Sequence, residues 1–163
     1  MKRREVTCSL VCILTLAATL IAGGAVASTM DEKDVRAANA QFYAALNKMF
    51  SGDVAPMKEV WAHSPTVTYM GPNGGILVGW NQVQDSWEKQ AAMKLGGTVN
   101  PEDIQVTVGS DLAVVSAYEK GENTNADGKT AKVSIRATNL FAKDGGKWRM
   151  IGHHTDLLPY LAK

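Results

Sequence analysis

The chain has 163 residues, with seventeen Lys and Arg against sixteen Asp and Glu for a formal net charge of +1, and only two cysteines. Both cysteines, Cys8 and Cys12, and three basic residues, Lys2, Arg3 and Arg4, fall in the first twelve positions. Without residues 1 to 27 the chain is 136 residues long, free of cysteine, with 14 basic and 15 acidic side chains. That remainder excludes disulfides, thiol nucleophiles and cysteine metal sites, and it has no basic surplus for nucleic acid.

Residues 1 to 27 have the layout of an export signal. A charged start, Met1 to Arg4, precedes an apolar stretch from about Leu10 to Ala22 and a small-residue exit, Ala25-Val26-Ala27, before Ser28. The apolar stretch is shorter than the roughly 20 residues that span a bilayer. The expectation is cleavage after Ala27, a periplasmic or secreted domain over 28–163, and no membrane association afterwards.

From Asp31 to Phe50, Val35, Ala38, Phe42, Leu46 and Met49 recur at three- and four-residue steps, which predicts an amphipathic helix. Ser28 or Thr29 can cap it. Ser51-Gly52-Asp53 ends it and starts a shorter helix carrying Met57, Val60 and Trp61. The period then changes to two: Thr66 to Met70 and Ile76 to Val78 predict a hairpin around Gly71-Pro72-Asn73-Gly74-Gly75. A third helix is expected from Trp80 to about Leu95, stopped by Gly96-Gly97. Strands alone follow, at about Ile104 to Val108, Leu112 to Lys120, Lys132 to Lys143 and Lys147 to Leu157, joined by turn chemistry. The predicted fold is α+β: a cone-shaped, curved antiparallel sheet packed on three N-terminal helices, with a pocket between them where side chains leave space.

The last hairpin carries a resemblance. Arg136-Ala137-Thr138, the Asp144-Gly145-Gly146 turn, Trp148 and Gly152-His153-His154 are similar to the C-terminal signature of SnoaL-like domains. That family lies in the nuclear transport factor 2-like superfamily, with ketosteroid isomerase, scytalone dehydratase and the association domain of the calmodulin-dependent kinase. The resemblance covers residues 31 to 157. It implies a pocket on the concave face of the sheet and a homodimer through the convex face. This chain departs from it in three places. Met70-Gly71-Pro72 stands where the isomerase has its catalytic Asp, Gly152 replaces the first His of a His-x-His run, and Asp156 stands where a Ser usually follows.

With a three-residue turn at Asp144-Gly145-Gly146, Leu140 faces Met150, Thr138 faces Gly152 and Arg136 faces His154. Alternation then gathers Ser134, Arg136, Thr138, Trp148, Met150, His154 and Asp156 on one face, and Ile135, Asn139, Phe141, Ile151 and His153 on the other. A one-residue slip would exchange His154 for His153. The Arg136 face is expected to line the pocket, because polar groups gathered under a helical cap need a reason to be there.

On that expectation His154 moves a proton, Asp156 assists it, and Arg136 or Tyr43 holds a developing oxyanion. A structural histidine and a plain Arg136 ion pair with Glu119 or Asp156 are the alternatives. Tyr43, Trp61, Tyr69, Trp80 and Trp87, with Thr138 and Met150, supply an apolar wall with a few polar handles. His63 belongs to a loop. Adjacent strand histidines point to opposite faces, so no metal is expected, and no cofactor motif is present. The expected ligand is a small apolar or carbonyl-containing molecule. The expected chemistry is proton transfer, as in dehydration, isomerisation or cyclisation, and the rival reading is a non-catalytic ligand-binding or oligomerisation module.

Overall fold

The computed structural model describes residues 29–72, 74–124 and 127–157. The expected export segment and Ser28 lie outside the described residues. Helix α1, Thr29–Phe50, buries Val35, Phe42, Leu46 and Met49 on one stripe, with Asp31 and Glu32 in its first turn and Lys48 in its last. That charge order suits the helix dipole. Helix α2, Ala55–Val60, starts where the Asp53 carboxylate accepts the Ala55 N–H at 3.1 Å, with Pro56 in its first turn. Helix α3, Trp80–Met93, buries Val83, Trp87 and Ala91, and Lys94 ends it in the left-handed conformation. Among the described residues no helix is long and apolar enough to cross a membrane.

Six strands form one sheet in the order β2-β1-β6-β5-β4-β3. They are β1 (Thr68–Met70), β2 (Leu77–Val78), β3 (Thr98–Val108), β4 (Leu112–Thr124), β5 (Thr130–Asp144) and β6 (Lys147–Leu157). The expected hairpin and meander are present, with one pairing that sequence order does not give: β1 lies parallel to β6, setting Tyr69 beside His153.

Strand β3 starts six residues before the expected Ile104. Pro101 obscures it, since proline cannot donate to a ladder, but β3 is an edge strand and tolerates it. Asp103, at φ 53°, lies in an irregularity between Glu102 and Gln105 that bends the strand. The Asn47 side chain fastens this edge to α1, donating to the Val99 carbonyl at 3.0 Å and accepting its N–H at 2.8 Å. Gly97, at φ 74°, admits the chain beside β4, where a Cβ would stand 1.9 Å from the Glu122 carbonyl oxygen.

The β5–β6 hairpin corrects the expected register. Its turn is the two-residue Gly145-Gly146, both at positive φ, so Asp144 faces Lys147 and Phe141 faces Met150. Ile151 is then one residue too many for its partner strand. Beyond this bulge Leu140 faces Gly152, Asn139 faces His153, Thr138 faces His154 and Arg136 faces Asp156. The bulge changes the phase of β6. Trp148 and Met150 turn inward before it, and His153 and Thr155 turn inward after it.

Candidate active site

Between the inner sheet face and the helices lies a cavity of about 460 Å³. Its walls are mostly apolar: Leu46 and Phe50 from α1, Trp87 from α3, Leu95, and Val99 and Ile135 from the sheet. Tyr69 and Gln90 also face it, with the Gln90 amide donating to the Tyr69 hydroxyl at 3.3 Å. The glycine-rich segment after β1 forms part of the rim, together with Ile76 and Met93, whose side chains are exposed.

Three polar residues stand together in the wall: Glu119 on β4, and His153 and Thr155 on β6. Glu119 and His153 are each only 4% exposed. Strands β4 and β6 flank β5, and the phase change at Ile151 turns His153 to the same face as Glu119, with His153 Nε2 3.8 Å from Glu119 Oε1. Neither Glu119 Oε1 nor Thr155 Oγ1 has a hydrogen-bond partner. Trp87 Nε1 in the same wall is also without one; buried polar atoms are paired in most folded proteins, so three orphans in one cavity wall mark a place prepared for something else.

The other side of the pair is fully engaged. His153 Nδ1 is 2.6 Å from Asn139 Oδ1. The Asn139 amide donates to Asn39 Oδ1 at 2.8 Å and to the Tyr43 hydroxyl at 3.4 Å. Tyr43 in turn stands beside Glu119, where its hydroxyl opposes part of the rise in that carboxyl. Around this network the His153 ring packs against Phe42, at 4.8 Å between centroids, and against Tyr69, parallel at 5.8 Å.

Burial sets the charge state. Loss of solvent pushes the Glu119 carboxyl up to about 7, with the Tyr43 hydroxyl offsetting part of the shift. Loss of solvent, and secondarily the neighbouring His154, pushes His153 down to about 3. Burial also raises the phenols of Tyr43 and Tyr69. Near neutral pH the site therefore holds an imidazole without charge beside a carboxyl that is half in its acid form. Such a pair can accept and donate protons without bulk water.

The structure overturns the expected pocket face. Arg136, Thr138, His154 and Asp156 lie on the outer face of the sheet, because inward positions on β5 are Ile135, Ala137, Asn139 and Phe141, and because the bulge turns His153 inward. There His154 Nε2 meets Asp156 Oδ1 at 3.1 Å and Arg136 Nη2 meets Asp156 Oδ2 at 3.5 Å, with side chains 42% to 56% exposed. These pairs share a shallow outer groove with Tyr118 and Thr138. Exposed ion pairs of this kind contribute at most about 1 kcal/mol.

Among the expected ligand contacts, Tyr69 and Trp87 line the cavity. Tyr43 stands behind the wall as the link to Glu119. Trp61 and Met150 are wholly buried, joined by a parallel bridge between the end of α2 and β6. Trp80 stacks on His63 at 4.4 Å, and His63 Nε2 meets the Lys58 carbonyl at 2.8 Å, away from the cavity. Among the described residues no three His, Cys, Asp or Glu side chains cluster as a metal site.

Glu119, Asn39 and Asn139 are the residues that sequence reasoning missed. Glu119 continues the inward series Ala113, Val115, Ala117 on β4, and a carboxylate in such a series is the signal that was available.

Comparison with known proteins agrees with this architecture. The SnoaL-like domain model matches residues 35–158. A candidate dehydratase of the NTF2-like family from Streptomyces avermitilis superposes with a TM-score of 0.71 at 22% identity, covering 80% of this chain and 99% of that one. A candidate calcium/calmodulin-dependent protein kinase type II association domain from Thiobacillus denitrificans gives 0.64 at 26%, covering 76% and 94%. The F-box protein SKIP8 of Arabidopsis thaliana is 26% identical over 104 residues, 63% of this chain and 41% of that protein. The chain thus spans about two fifths of the length of the curated relative it matches. With the matched model covering most of the chain and the same fold in its neighbours, the chain belongs to the SnoaL-like domain family.

Proposed function

We propose that this domain binds a small, largely apolar carbonyl compound in its cavity and catalyses proton transfer on it, with Glu119 and His153 as the working pair. The observation that carries the proposal is the orphaned Glu119 Oε1, buried in an apolar wall 3.8 Å from the His153 ring. His153 takes a proton from the substrate as a neutral base. Glu119, in its acid form, donates to a substrate oxygen at the reacting centre and stabilises the charge that develops there. The reaction classes that fit are dehydration, isomerisation and cyclisation, and the likeness to a candidate dehydratase supports the same group. The domain acts as an exported, periplasmic or secreted protein, a proposal supported by the charged start, apolar stretch and Ala25-Val26-Ala27 exit of the sequence.

Native mass spectrometry of the protein purified from its source tests these points together. The expected spectrum has a subunit mass beginning at Ser28 and a retained small molecule that turns over in the wild type. In His153→Asn the molecule is retained and turnover falls by at least about a hundredfold, the usual scale of a lost general base. Unchanged turnover in that variant removes His153 from the chemistry.

A second reading, oligomerisation, is favoured by a separate observation. Leu112, Val114, Tyr118 and Leu140 lie exposed together on the outer sheet face, and two of the similar structures are described as kinase association domains. A homodimer through this face buries them. Leu140→Arg is expected to convert dimer to monomer by light scattering while leaving ligand retention in place; an unchanged mass rules out this face.

A further inference from the structure

The hydrogen bonds behind the cavity wall fix which atoms of the pair can donate and which can accept, and this constrains the occupant. The Asn139 amide nitrogen donates to Asn39 Oδ1 at 2.8 Å and to the Tyr43 oxygen at 3.4 Å. Its carbonyl oxygen is thereby the atom 2.6 Å from His153 Nδ1 and accepts the proton there. A neutral imidazole with its proton on Nδ1 has a lone pair on Nε2, and Nε2 is the atom that faces Glu119. In its acid form the Glu119 carboxyl can carry its proton on Oε1, which has no hydrogen-bond partner among the described residues.

The pair thus presents one donor, Glu119 Oε1–H, and one acceptor, His153 Nε2, 3.8 Å apart. That separation is too long for the two to bond each other, and an oxygen atom at ordinary hydrogen-bond distance from both can sit over it. A hydroxyl oxygen satisfies both sides, since it accepts from Glu119 and donates to His153. A carbonyl or ether oxygen leaves Nε2 unpaired. A carboxylate or phosphate finds no cation, because among the described residues neither Lys nor Arg lines the cavity, and it would face Glu119 with like charge.

We propose that Asn139 is a positioning residue that holds His153 with its Nε2 lone pair toward the cavity, and that the occupant is an uncharged apolar molecule bearing a hydroxyl seated between His153 and Glu119. This deepens the proposed function, resting on the same cavity and pair, and names the polar group that its carbonyl compound must also carry.

Nitrogen-15 NMR of the histidine-labelled protein reads the first half without any substrate. The expected His153 spectrum shows a protonated Nδ1 and an unprotonated Nε2; a protonated Nε2 overturns the proposal. Asn139→Leu is expected to mix the two tautomers in protein whose circular dichroism shows it folded, and an unchanged tautomer there removes Asn139 from the role. Should that variant not fold, the wild-type spectrum and the following comparison decide.

Three probes of one skeleton, decalol, decalone and decalin carboxylate, are titrated into the wild type near pH 6 while the His153 Nε2 resonance is followed. Decalol is expected to bind at least about fivefold more tightly than decalone, the low end of the penalty for leaving a buried acceptor unpaired, and the carboxylate is expected to be weakest. Equal binding of decalone, preference for the carboxylate, or no response to decalol overturns the hydroxyl site. None of these readings depends on turnover. Inactivity of the enzyme therefore leaves them standing, and their failure leaves proton-transfer catalysis by the pair to its own test.

Discussion

Glu119→Gln is expected to make the folded domain more stable by about 3 kcal/mol at pH 8 while abolishing turnover. The reason is the burial that raises this carboxyl from its ordinary 4.5 to about 7. A group raised in the folded state contributes its stability fully below the unfolded value. That contribution is lost as the pH climbs through 4.5 to 7, where the folded protein holds a proton that the unfolded chain has released. His153 acts in the opposite sense. Its value falls from 6.5 to about 3, so its contribution is present above 6.5 and is lost as the pH drops toward 3. In the wild type the two slopes cancel between about 4.5 and 6.5, and stability is flat there. In Glu119→Gln only the histidine slope remains, so stability climbs steadily to about pH 6.5 and then levels. Urea unfolding at half-unit pH steps checks this, and parallel curves for the two proteins would sink it. The same substitution removes the Oε1 proton on which the proposed acid chemistry depends, an instance of a site that costs stability for function.

Phe42→Ala is expected to lower stability by about 3 to 5 kcal/mol, the usual range for an aromatic removed from a packed core. Phe42 has no solvent exposure and lies edge-on to Tyr43 at 5.1 Å and to Trp87 at 6.4 Å. It also packs against the His153 ring, at 4.8 Å between centroids. The cavity left behind adjoins the ligand cavity, so the effect reaches the site. Chemical denaturation measures the first consequence. Broadened His153 resonances in the folded variant report the second, and a loss below about 1 kcal/mol would show that neighbouring side chains collapse into the space.

The order of elements was legible in the sequence because each rested on a local cause. The apolar spacing of α1, the Gly-Pro segment after β1 and the glycine turn before β6 all act over a few residues. The start of β3 was not legible, since Pro101 and the bend at Asp103 suppress the period-two pattern until Ile104. Neither was the parallel neighbour of β1, which depends on where the helices carry the chain. At the site, the expected pairing already set His153 on the Asn139 face and His154 on the Arg136 face, because the shorter turn and the extra residue at Ile151 offset one another; what was not legible was which of those faces turns inward. Tyr69 and Trp87 were found because aromatic residues in a small domain have few places to go. Asn39 and Asn139 were missed because an asparagine takes its role from its partners, and these two lie 100 residues apart.

The extra residue in β6 divides that strand into two reading frames, one for residues before Ile151 and one for those after it. Roles carried along the strand from a relative that lacks the frame change arrive on the wrong side of the sheet, even where the letters align without a gap. The converse also holds. Excising Ile151 would bring Gly152 into the vacated place and leave Trp148, Met150, His153 and Thr155 all pointing inward as before. The interior is thus insulated from a change in length at this point, whereas any other single deletion between Met150 and His153 that kept the bulge would exchange the two histidines. In this strand the presence of the bulge, more than residue identity, decides which imidazole meets the cavity.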